Sequence, residues 1–162
     1  REVGMILYHG TNAEFADINL ANCKPFKDFG RAFYLSESRS QAEEVSISRT
    51  TFFGGSPIVH SYEFDESLLL SGTLKVKRFE GYTREWADFI FMNRNADSPK
   101  PMHDYDIVYG PIANDRVGVQ IRRFQDKAID IDQFVAALQY MRGITFQYAF
   151  CTDKAIQTLQ RL

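Results

Sequence analysis

Apolar and polar residues follow one another along this chain in short bursts, and each burst predicts a small element of secondary structure. "GMILYHGT" (4–11) is an apolar run broken by Gly10 and Thr11, the pattern of a short buried strand that ends in a polar turn. "RAFYLS" (31–36) predicts a second strand rich in aromatics, and "IVHSYEFD" (58–65) alternates with the period of a half-buried strand. "ESLLLSGTLKVKRF" (66–79) continues as strand-like pieces. "YDIVYGPIAND" (105–115) reads as a buried strand with a Gly-Pro stop, and "ITFQYAF" (144–150) as another strand. Helical signals fall between these runs. "SESRSQAEEVSISRT" (36–50) carries a serine cap, acidic residues in its first half and Arg49 near its close. "TREWADFIFMNRN" (83–95) sets Trp86, Phe89, Ile90 and Met92 on one helical face. "AIDIDQFVAALQYMRG" (128–143) offers Asp130 or Asp132 as cap and Gly143 as terminator, and "CTDKAIQTLQRL" (151–162) predicts a final helix capped by Thr152. "AEFADINL" (13–20) fits a strand or a single helical turn, while "CKPFKDFG", "TFFGGSP" and "ADSPKPMH" read as loops and turns. Strands and helices mix without a regular βαβ alternation, so the expected class is α+β.

Composition narrows the reading. A chain of 162 residues that is 44% hydrophobic and 14% aromatic suits one compact domain, taken here as 1–162, with a core of its own. A net charge of −2 argues against a generic binder of phosphate backbone, though not against a local basic patch. No apolar run approaches a membrane span, and the chain shows no charged-then-apolar leader. Cys23 and Cys151 lie far apart, which fits a reducing, cytoplasmic compartment better than a disulfide scaffold. His9, His60 and His103 are scattered and no C-x-x-C occurs, so no metal is expected.

Three polar side chains stand where a structural strand needs none. His9 at a strand end can offer its ring to a ligand, while Gly10 lets backbone approach closely; a histidine satisfied by a carbonyl explains the same residue. Tyr34 is either packing or a flat ring on which a cationic heterocycle stacks. Gln147 must find partners for both ends of its amide, within the fold or on a ligand hydroxyl. "WADFIFMNR" reads as core around Trp86, with Asp88 and Arg94 facing solvent or shaping an acceptor groove. Turn chemistry accounts for Asn114 and Asp115 in "IANDRV".

Taken together, "YHGT", "FGRAFYLSESRSQAEE" and "FQYAFCT" resemble the three motifs of the ADP-ribosyltransferase superfamily, in the branch related to diphtheria toxin and the poly-ADP-ribose polymerases. That branch carries a histidine, a tyrosine and a glutamate on three strands, and Gln147 stands where the glutamate usually does. Within it, "DYDIVYGPIANDRV" is similar to a family of uncharacterised bacterial domains. The resemblance implies a split β-sheet core with flanking helices, and NAD⁺ as substrate without a metal. It implies that His9 bonds a ribose hydroxyl, that Gly10 bonds the nicotinamide carboxamide through its backbone, and that Tyr34 stacks on the nicotinamide. Thr11 closes the first motif, Ser40 supplies a hydroxyl for the carboxamide, and Arg31 meets either the diphosphate or a surface carboxylate. Gln147 would contact the nicotinamide-side ribose. Where the polymerases place a second aromatic, this chain has Val45, so the resemblance implies a sandwich that is either one-sided or closed by Phe52 or Phe53 from the following loop.

A glutamine can orient a ribose but cannot offset positive charge on it as a carboxylate does, which argues against polymer growth. The expected activity is therefore mono-ADP-ribosyl transfer to a protein or nucleic-acid acceptor, with a non-catalytic module holding NAD⁺ or ADP-ribose as the alternative. RNA 2′-phosphate transfer, also found in the superfamily, ranks below both because only Arg31 is near. By analogy, such a domain serves as a toxin-like effector or in bacterial conflict, with a cognate antidote protein among its partners.

Overall fold

The computed structural model describes residues 4–141 and 143–162. Among them, seven strands and five α-helices form a mixed α+β fold built on two small sheets. The strands are β1 (Met5–Thr11), β2 (Phe33–Leu35), β3 (Ile58–Phe64), β4 (Val76–Arg78), β5 (Ile107–Pro111), β6 (Phe146–Phe150) and β7 (Gln160–Arg161). The helices are α1 (Arg39–Phe53), α2 (Arg84–Arg94), α3 (Asp115–Gln125), α4 (Ile131–Gln139) and α5 (Asp153–Ile156). One sheet runs β1-β3-β7 and the other β2-β6-β5-β4, antiparallel except for the β4–β5 pair. None of the described helices is long and apolar enough to cross a membrane.

Strand alternation decides what each sheet face covers. On β6, Tyr148 and Phe150 join Leu7, Phe33, Leu35, Tyr62, Phe64 and Ile107 in a core between the two sheets. Ala149 points the opposite way, into a second core where Trp86, Ile90, Val117, Phe134 and Leu138 of α2, α3 and α4 pack on the sheet. Trp86 is fully buried, and its indole N–H donates to the Pro111 carbonyl at 3.3 Å, so the largest core side chain leaves no polar atom unpaired. The helix α1 covers the other face of β1. Gly10 makes that contact possible, since a Cβ there would stand 2.0 Å from the Ala42 carbonyl oxygen.

Caps set the helix ends close to where the sequence signals place them. Ser38, Thr83, Asp130 and Thr152 each accept a backbone N–H of the first turn, and Asp130 completes a capping box with Gln133. The expected elements need correction elsewhere. The helix α1 runs through Phe53 and stops at Gly54, whose φ of 81° suits glycine, so "TFF" is its last turn and not a loop. "ESLLLSGTLKVKRF" yields a 3-10 turn at Glu66–Leu69 and only the three-residue β4. The helix α3 has no counterpart in the sequence expectation. The final segment forms one helical turn, α5, and then a strand: β7 pairs with β3 through Tyr62 and Glu63. The helix α4 ends at Gln139, before Gly143, and Arg142 lies outside the described residues.

Candidate active site

Among the described residues, the two sheets are joined at a single isolated bridge: Tyr8 and Ser36 exchange both backbone hydrogen bonds, at 2.8 and 2.9 Å. In an antiparallel ladder, backbone groups face alternate sides every residue. The N–H and C=O of Gly10 therefore face the same way as those of Tyr8, toward β2 and away from β3. Continuing the register sets Gly10 opposite Tyr34, but no second bridge forms there. The strands part at this point. Neither backbone group of Gly10 has a partner on that side among the described residues.

One side chain spans the split. His9 Nδ1 lies 2.7 Å from the Tyr34 carbonyl oxygen, and the His9 ring stacks on Phe33 with centroids 4.0 Å apart. A carbonyl can only accept, so Nδ1 carries the proton. Burial, with smaller contributions from His60 and Arg49, lowers the pKa of His9 to about 4 against the support of that hydrogen bond. At neutral pH the ring is uncharged, and Nε2 presents a bare lone pair. It has no partner among the described residues and is not among the side-chain atoms sealed from solvent.

This depressed pKa has a consequence for folding. The unfolded chain takes up a proton at His9 below pH 6.5 and the folded chain only below about 4, so stability falls as pH drops through this window. The loss across the whole window is roughly 3–4 kcal/mol, each tenfold change in proton affinity being worth about 1.4 kcal/mol. Urea unfolding at pH 7 and pH 5 should show a larger loss in wild type than in His9→Gln. Equal losses would mean that His9 titrates normally.

Tyr34 is placed differently from a free stacking ring. Its hydroxyl donates to the Gly30 carbonyl at 2.7 Å and accepts the Phe29 N–H at 3.1 Å. Its pKa is raised well above normal by burial, so the phenol is a neutral staple of its own turn. Tyr34 faces the helix-side core beside Ala149, its partner on β6. Gln147 stands two residues from Ala149 on that same face, a diagonal neighbour of Tyr34, and its amide has no hydrogen-bond partner among the described residues. His9 points to the opposite, inter-sheet face. The fold thus gathers Gly10, Tyr34 and Gln147 on one side of the split and brings His9 through it from the other.

The remaining expected residues scatter. Thr11 is buried, with its hydroxyl 3.4 Å from the Ala13 backbone oxygen and nitrogen. Ser40 is exposed in the first turn of α1, its hydroxyl 3.0 Å from that of Ser38. The Arg31 guanidinium has no carboxylate partner among the described residues. It clamps the carbonyls of Ala21 and Cys23, fixing the loop before β2, and borders a cleft of about 360 Å³ with Asn93, Tyr105 and Cys151. Two neighbours of the split escaped the sequence reading. Phe33 supports the imidazole, and Glu37 accepts the Tyr148 phenol at 2.7 Å, tying α1's entry to the strand that carries Gln147. The signal for Phe33 was period-two alternation with Tyr34; nothing local marks the Glu37 contact, which spans over a hundred residues. Among the described residues, no three His, Cys, Asp or Glu side chains converge to hold a metal ion.

A family model described as a protein of unknown function (DUF3990) matches residues 5–161. The chain belongs to the DUF3990 family. The DUF3990 match runs from β1 to β7, so it contains the bridge, the split and all the residues around them. No curated protein and no solved structure shows a significant match.

Proposed function

We propose that this domain is an NAD⁺-dependent mono-ADP-ribosyltransferase whose dinucleotide lies across the split between β1 and β2, in an ADP-ribosyltransferase-like core. The observation that carries the reading is the pairing of a neutral His9, Nδ1–H fixed on Tyr34 and Nε2 bare, with the unpartnered peptide edge of Gly10. A carboxamide offers N–H donors and a carbonyl acceptor side by side, the complement of the Gly10 C=O and N–H. A ribose hydroxyl is a donor, the complement of His9 Nε2. The nicotinamide ring then lies toward Tyr34 and its ribose toward Gln147.

The chemistry follows from the leaving group. Nicotinamide is bound to its ribose as a cation; breaking the glycosidic bond sends the electron pair to the ring nitrogen, and the sugar becomes oxocarbenium-like. An acceptor oxygen or nitrogen bonds to the anomeric carbon and gives up its proton to solvent. No nucleophilic side chain is needed, and positioning supplies much of the help. Gln147 orients the ribose without neutralising its charge, so turnover is slow and confined to single transfers. The free Gln147 amide also favours one second reading, a module that binds NAD⁺ without turning it over.

Free nicotinamide released from NAD⁺ tests the reading. Wild type should release it slowly, and His9→Ala should weaken NAD⁺ affinity about tenfold, the loss of one hydrogen bond to a ribose hydroxyl. Equal affinity in the two proteins would remove His9 from the site.

A further inference from the structure

The net charge of the chain is −2, yet its cations are unevenly placed. At the end of α1, Lys24 Nζ lies 5.1 Å and Arg49 Cζ 5.4 Å from the centroid of the same Phe53 ring. Lys27 belongs to the same loop as Lys24, and its ammonium is held below the usual lysine range by burial and by repulsion from Arg49 and Lys24. None of Lys24, Lys27 and Arg49 has a carboxylate partner among the described residues, whereas Arg39 pairs with Glu43 and Arg94 with Asp28. Asp28 partly offsets the repulsion at Lys27, but its carboxylate pairs with Arg94 at 2.5 Å. Three like charges held together with so little neutralisation cost stability, and a fold tolerates them where an anion docks.

Phe53, 63% exposed, sits among these charges; Phe52, 78% exposed, precedes it in the last turn of α1 and points about 100° away around the helix. Their base is fixed. The Gly54 N–H closes the helix on the Thr50 carbonyl at 2.9 Å, and Asn12 at the end of β1 donates to the Gly54 carbonyl at 3.0 Å. Gly55 passes so close to Asn12 that a Cβ would stand 2.2 Å from its carbonyl oxygen. The patch is therefore rigidly joined to β1, and Arg49 is near enough to His9 to lower its pKa.

We propose that Lys24, Lys27, Arg49, Phe52 and Phe53 form a docking surface for single-stranded nucleic acid, which makes a nucleic acid the acceptor at the neighbouring split. Cations spaced around flat, exposed rings are what a single strand requires: phosphates meet the charges and bases stack on the rings. A duplex would hide its bases from Phe52, and a dinucleotide diphosphate needs neither three cations nor a second exposed ring. The role as acceptor rests on the transferase reading; the docking itself does not.

The experiment is fluorescence anisotropy of a labelled 12-mer of deoxythymidine and one of uridine, from 50 to 200 mM salt, without NAD⁺. Three phosphate contacts predict a slope of log K against log salt of about −2, at about −0.7 per contact on a single strand. Lys24→Ala, Lys27→Ala and Arg49→Ala combined should flatten the slope. Phe52→Ala with Phe53→Ala should weaken binding about tenfold or more and leave the slope unchanged. Circular dichroism confirms that each variant is folded, Arg49 alone of the five residues being half-buried. Absence of salt-dependent binding, or binding that survives both sets of variants, overturns the proposal. So does loss of NAD⁺ affinity in the triple variant without oligonucleotide binding in wild type, which would give the cations to the dinucleotide, or binding of a polyglutamate peptide alone, which would point to a protein. Oligonucleotide binding without nicotinamide release would instead sink the transferase reading and leave the docking surface standing.

Discussion

Gly10→Ala should destabilise the domain by about 3 kcal/mol or more and abolish ligand binding at the split. The added methyl would lie 2.0 Å from the Ala42 carbonyl oxygen and 2.9 Å from the Ser46 nitrogen, both backbone atoms of α1. No side chain can rotate to relieve such a contact, so the helix itself must move off β1, and overpacking of this kind ranks among the larger single-residue effects. For a domain of this size, the loss corresponds to a fall in melting temperature of roughly 6–12 °C. Gly118 supplies the control. It lies within α3, where an added Cβ would meet only the Arg122 guanidinium at 3.7 Å, so Gly118→Ala should be neutral or slightly stabilising. Thermal melts followed by circular dichroism decide the matter. If Gly10→Ala melts with wild type, α1 does not press on β1 as described.

Gln147→Glu should raise the rate of nicotinamide release about tenfold or more. The amide of Gln147 is free of protein partners among the described residues, so the substitution disturbs no existing hydrogen bond. On the proposed transferase reading, what it adds is a negative charge beside the ribose that becomes positive. Electrostatic groups aimed at charge that develops in the transition state are worth on the order of 10²–10³ in rate, and the expected gain is set below that because this strand did not evolve around a carboxylate. The assay is release of nicotinamide at saturating NAD⁺, which separates turnover from affinity. An unchanged rate would place Gln147 away from the reacting ribose. NAD⁺ binding with no release in either protein would favour the binding module.

The strands around the split were legible because their signals are local. Period-two alternation in "IVHSYEFD" marked β3, apolar runs broken by glycine marked β1 and β5, and apolar, aromatic-rich runs marked β2 and β6. Caps at Ser38, Thr83, Asp130 and Thr152 were equally readable, since capping depends on the next three residues only. The helix α3 was missed because Asn114 reads equally as a turn residue and as the cap it proves to be. The helical end at Phe53 was missed because "TFFGG" is poor in helix formers, and its rings gain little from burial. The site divides in the same way. His9 and Gly10 could be singled out from one strand, but the Nδ1–H bond to Tyr34 depends on how two sheets meet. Tyr34 in its strand read equally as packing or as a stacking ring; only the turn at Phe29 and Gly30 reveals where its hydroxyl is spent. Arg31 likewise turns inward to carbonyls of its own loop, which charge patterning cannot foresee.

The most direct measurement is an NAD⁺ titration of ¹⁵N-labelled protein observed at single backbone amides. A dinucleotide seated on the parted strands predicts that the Gly10 amide shifts most, together with a change at the His9 imidazole that keeps its Nδ1–H tautomer. Shifts confined to the residues around the 360 Å³ cleft near Arg31, or no shift anywhere at millimolar NAD⁺, would contradict the account.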